Sequence, residues 1–239
     1  MTTDWAELAH DLTGLLHLAE PPIGIAWRDS VPVDIAPFDE PMPDPAADGR
    51  TGRVAAPCVF WMRAAHGTFS TVAADHGNCS VGLMTHGWKT LDEVAGNSDV
   101  AALLDSGWVT MDVVPQIPVV THRPTAMVYG PLVDATGDPD VVLIRVNAKQ
   151  LMVLADAYPG LRVEGKPQCH ILAIAKEEGE PAASVGCTLS RVRTGMRADE
   201  MTVAIPGGRV REFVGRLQDT HSADSAVAQY AAQDAARFG

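Results

Sequence analysis

Apolar residues recur at intervals of three and four through Trp5, Leu8, Ala9, Leu12, Leu15 and Leu16. That is the repeat of an amphipathic helix, and Pro21 and Pro22 stop it. Short, mostly apolar runs follow, which suit strands: IGIAW at 23–27, TFSTVAA at 68–74, WVTMDVV at 108–114, TAMVYG at 125–130, VVLIRV at 141–146 and MTVAIP at 201–206. Between them the period returns to that of a helix in CVFWMRAAH from residue 58, SDVAALLDSG at 98–107, NAKQLMVLADAY at 147–158 behind an Asn147 cap, CHILAIAKEEG from 169 and GRVREFVGRL at 208–217. An alanine-rich terminal helix is expected at about 222–237. The acidic stretch from Pro32 to Gly52 carries Pro37, Pro41, Pro43 and Pro45 and reads as a surface loop without regular structure. The pattern predicts one α/β (or α+β) domain over residues 1–239, with mixed sheets and flanking helices.

The pattern also runs twice. Cys58 and Cys169 each open a helical segment just after a proline, and they are 111 residues apart. Cys79 and Cys187 each follow a short apolar run beside a turn, 108 residues apart, and a glycine stands eight positions beyond each, at Gly87 and Gly195. The acidic pairs Asp92-Glu93 and Asp199-Glu200 keep nearly the same offset, 107. We therefore expect two pseudo-symmetric halves, at about 20–110 and 122–219.

Composition narrows the function classes. Asp and Glu outnumber Lys and Arg by 30 to 18, and a net charge of −12 opposes phosphate backbones and anionic lipid surfaces. Neither nucleic acid nor membrane is an expected partner; a partner enzyme or a second copy of the chain stays open. No apolar run nears the roughly 20 residues of a membrane span. The first residues lack a basic leader, so a cytoplasmic location is expected. In a reducing compartment four cysteines are thiols, ligands or nucleophiles rather than a disulfide framework.

Three readings of the cysteines stay open. They fill tight gaps as small hydrophobes. Alternatively Cys58, Cys79, Cys169 and Cys187 converge as ligands of a metal, zinc or an iron-sulfur cluster, or around a small redox ligand, although closely spaced C-x-x-C signatures are missing. Or one of them, Cys187 or Cys58, is a nucleophile whose pKa is lowered by His76, His170, Arg191 or Arg193. Other features carry less. His66, His76, His86 and His170 form no metal-binding pair, the Asp-Glu pairs suit helix starts, and PGGRV at 206–210 lacks the Lys and Ser/Thr of a phosphate loop.

The segment GEPAASVGCTLSRVRTGMRADEMTVAIPGGRV resembles the C-terminal signature of the family catalogued as domain of unknown function 169. Gly186, Cys187, Arg191, Asp199, Glu200 and Pro206 match that pattern, whereas Leu189 stands where a glycine is usual, so no close backbone contact is expected at 189. The similarity extends to Cys58, Cys79, PQC at 167–169, the leading helix and PPIGIAW. The resemblance implies membership and no particular activity. On the residues, the expected ligand-binding group is Cys187, Cys79 and Arg191, and the expected metal ligands are the four cysteines.

Overall fold

The computed structural model describes residues 3–39 and 55–238. Helix α1 spans Trp5–Leu16; the Asp4 side chain accepts from the Glu7 amide, and Trp5, Leu8, Ala9, Leu12 and Leu16 are buried. Strand β1 (Ile23–Arg28) is followed by α2 (Pro57–Arg63), β2 (Phe69–Thr71), α3 (Ser80–Thr85), α4 (Leu91–Val94), α5 (Ser98–Asp105) and β3 (Ala126–Pro131). Then come β4 (Val141–Val146), α6 (Ala148–Ala157), β5 (Arg162–Glu164), α7 (His170–Ala173) with a π turn over 174–178, β6 (Ala182–Ser184), α8 (Thr188–Thr194), β7 (Met201–Pro206) and α9 (Val210–Ala235).

The seven strands form one mixed sheet in the order β2-β3-β1-β4-β7-β6-β5. Every neighbouring pair is antiparallel except β5 and β6, which are parallel and joined by the α7 crossover. Alternation along the strands divides the core between the two faces. Ile25, Trp27, Met127, Tyr129 and Leu143 point to one side, with Phe60, Trp61, Leu83 and Ile171 from α2, α3 and α7. Val142, Ile144, Val203 and Ile205 point to the other, against Leu8, Leu12, Leu154 and Phe213 from α1, α6 and α9. β4 is buried on both faces, which is why VVLIRV is apolar at every position but Arg145, whose guanidinium pairs with Glu200.

From the central β1–β4 pair the order reads outward as β1, β3, β2 on one side and β4, β7, β6 on the other. Helix α2 precedes β2 as α7 precedes β6, and α3 and α8 follow those strands. β3 therefore stands with β1, although its residues fall in the range 122–219 expected for the second half.

Two expectations about elements need correction, and a third falls largely outside the described residues. WVTMDVV is no strand: it turns after Gly107 (φ 68°) into a short 3-10 turn at Val114–Gln116, with Met111 and Val113 exposed. The helices expected at 208–217 and 222–237 are one, because no proline or glycine stands between them; the first turns of α9 bury Val210, Phe213, Val214 and Leu217. The loop expected from Pro32 lies outside the described residues from 40 onward; just before that, the Phe38 amide donates to the Ser70 carbonyl and the Ser70 amide to Ala36, both at 2.8 Å.

Candidate functional site

All four cysteines reach one small cavity, on the face of the sheet that α2, α3 and α7 cover. The cavity measures about 20 Å³ and is walled by Cys58, Cys79, Cys169 and Cys187 together with Trp61, Trp108, Gln168, Ser190 and Arg193. Each cysteine stands at the start of a helical turn. Cys58 is the second residue of α2, behind Pro57, whose missing N–H costs nothing there. Cys79, Cys169 and Cys187 are the N-caps of α3, α7 and α8. α2 packs on α8 and α3 on α7, so the four helix starts face each other.

Local chemistry fixes these starts. The amide and hydroxyl of Ser80 donate to Asp99 of α5 at 2.8 and 2.7 Å, which anchors the residue after Cys79. Before Cys187 the chain turns at Gly186, whose φ of 111° strains any other residue. Gly82 of α3 lies so near α2 that a Cβ there would sit 2.7 Å from the Pro57 ring.

Burial sets the charge of the thiols. It pushes Cys58 up to about 11, against a lowering influence from the neighbouring Ser190 hydroxyl. It also raises Cys79, where the Arg193 charge and the Gly82 amide pull the other way, and it lifts Cys169 well above the ordinary thiol value. Negative charge on Cys79, Cys58 or Cys187 would raise Cys169 further, so the thiols sense one another. Without a cation Cys58, Cys79 and Cys169 are held as neutral thiols.

Two polar residues of the wall lack partners. Gln168 is 1% exposed, and neither its Nε2 nor its Oε1 has a hydrogen bond among the described residues. Ser190 lies beside Cys58 and favours its thiolate, yet its hydroxyl makes no hydrogen bond of good geometry. Trp108 closes the wall with Lys166 4.7 Å above its ring. Among the described residues, no three His, Cys, Asp or Glu side chains are drawn together as ligands of a single ion.

The other residues singled out in the sequence lie elsewhere. Arg191 does not line the cavity; its guanidinium donates to the carbonyls of Val185 (2.8 Å), Glu200 (2.7 Å) and Arg197, and so staples the loops around α8. Arg193, two residues on, is the cation in the wall. His76 and His86 are buried in an aromatic cluster with Trp61 and Trp88, and His170 is buried outside the cavity wall. The Asp-Glu pairs are caps: Glu93 accepts from the Thr90 amide and Glu200 from the Arg197 amide, both at 2.8 Å. The Gly207 amide of PGGRV donates to Asp140. Sequence reasoning passed over Gln168, Trp61 and Trp108; the only signal for Gln168 was its place between Pro167 and Cys169.

The pattern of the family DUF169, described as uncharacterised ArCR, matches residues 11–216. The chain belongs to this family. The match takes in all four cysteines and every residue of the cavity wall. No curated protein and no solved structure matches the chain. Among the described residues no helix is long and apolar enough to cross a membrane.

Proposed function

We propose that this protein binds an iron-sulfur cluster through Cys58, Cys79, Cys169 and Cys187. The observation that carries the reading is that four cysteines, distant in sequence, wall one buried cavity. Thiolates select soft metals and iron-sulfur centres. A single zinc holds its sulfurs at about 2.3 Å. A void that admits a water-sized probe keeps its wall about 3 Å or more from its centre, so thiols around it suit a broader centre than one ion. Bonded sulfurs approach closer than non-bonded ones, and rotation of the cysteine side chains supplies the remaining room.

The surroundings fit an anionic centre. Arg193 and the Gly82 amide face Cys79, and the Ser190 hydroxyl lies beside Cys58. Uptake would displace the thiol protons, since only thiolates ligate. A catalytic nucleophile has the opposite needs, an accessible thiol with a lowered pKa. Three of these thiols are raised. The matching outward order of strands and the paired helix starts support a common origin of the two halves, each supplying two ligands, as part of the same reading.

Cys79→Ser and Cys187→Ser test the ligand role. Each is expected to lose most of the iron and sulfide after anaerobic reconstitution while apo protein keeps its far-ultraviolet circular dichroism. Retained iron together with a thermal midpoint lowered as by an ordinary core substitution would assign the cysteines to packing.

A further inference from the structure

We propose that Gln168 is a positioning residue for the bound centre, its carboxamide Nε2–H donating to one of the sulfur atoms. The inference rests on the reading above and adds a residue that does not itself ligate. A glutamine with neither polar atom partnered is out of place in a dry wall. Leaving such a group unsatisfied costs about 1–3 kcal/mol, and buried polar side chains nearly always find partners. Gln168 is 1% exposed, both its polar atoms are unpartnered among the described residues, and it lines the cavity next to Cys169.

The chemistry of the wall says what the partner is. Donors already face sulfur: Arg193 and the Gly82 amide at Cys79, opposed there by the Asp99 carboxylate, and the Ser190 hydroxyl at Cys58. Neutral thiols have little use for so many donors. Four thiolates around a cluster carry excess negative charge, and N–H groups aimed at sulfur offset it in proportion to that charge. An amide is the neutral side chain that gives such a donor without adding a second cation beside Arg193. Its donation stabilises the reduced, more negative centre more than the oxidised one, and so raises the reduction potential.

The test compares the wild-type full chain with Gln168→Met, which keeps the length of the side chain and removes both polar atoms. Both are purified without oxygen and reconstituted with ferrous iron and sulfide. The expected result is a cluster in both, with a lower potential and faster loss of iron to a chelator in the variant. The apo variant should unfold at the same temperature as wild type or higher, because an unsatisfied group has gone. An unchanged potential and release rate in a loaded variant would overturn the role of Gln168 and leave the cluster standing. A wild type that takes up neither iron nor sulfide would overturn both. Should Gln168→Met fail to fold, Gln168→Asn, which withdraws the carboxamide by one bond, carries the same comparison of potential and release.

Discussion

Cys58 and His86 are driven to their neutral forms by one cause, burial, which raises the thiol and lowers the imidazole. His86 falls to about 4, in spite of the Gly82 carbonyl that its Nδ1–H meets at 2.8 Å. In the unfolded chain it titrates near 6.5. Below that pH the unfolded state binds the extra proton, so the stability contributed by neutral His86 is complete above about 6.5 and is lost as pH falls towards 4. At about 1.4 kcal/mol per unit the loss reaches on the order of 3 kcal/mol. Urea midpoints followed from pH 7 to 4 should fall less steeply in His86→Gln than in wild type, the remaining slope belonging in part to His76 and His170, which burial also lowers. Equal slopes would show that His86 is not an acid-labile point of the fold. Little of this was visible in the sequence, where His76 and His86 stood near cysteines; ring packing against Trp61 and Trp88, invisible in one dimension, decides their state.

Among the elements, α1, α6, β4 and β7 were legible in the sequence because the apolar pattern of each matches what it buries. MTVAIP became β7 with the bounds its apolar run suggests, and VVLIRV became β4 likewise, because both are central strands that bury two faces. WVTMDVV has the same composition but leaves Met111 and Val113 exposed, so its apolar run records no pairing. The cysteine sites were half legible. Their offsets pointed to equivalent places, whereas the approach of α2 to α3 rests on Gly82, whose absent Cβ no pattern announces. Gly82→Ala would set a carbon 2.7 Å from the Pro57 ring and push apart the helices that carry Cys58 and Cys79. The expected cost is about 1–3 kcal/mol, with a loss of bound iron at temperatures where the variant is still folded. A variant that is destabilised but fully loaded would separate the packing of α2 on α3 from the geometry of the site.

In the whole molecule, the sheet joins two sets of elements so that four helix starts meet on one face, and each set brings one cysteine before its short outer strand and one after it. In the cavity so formed burial holds Cys58, Cys79 and Cys169 as neutral thiols beside Arg193, in a chain whose overall charge is −12. Such a cavity is costly to build for packing alone, since the polar side chains of Gln168 and Ser190 go without hydrogen-bond partners among the described residues. Chemical analysis of iron and acid-labile sulfide in the full chain, purified without oxygen, reads the occupant directly. Iron and sulfide bound in comparable amounts, with the four thiols protected from alkylation until the iron is chelated, is the predicted result. Zinc without sulfide, or neither metal nor sulfide with all four thiols titrating as soon as the protein is unfolded, would contradict the assignment of a cluster.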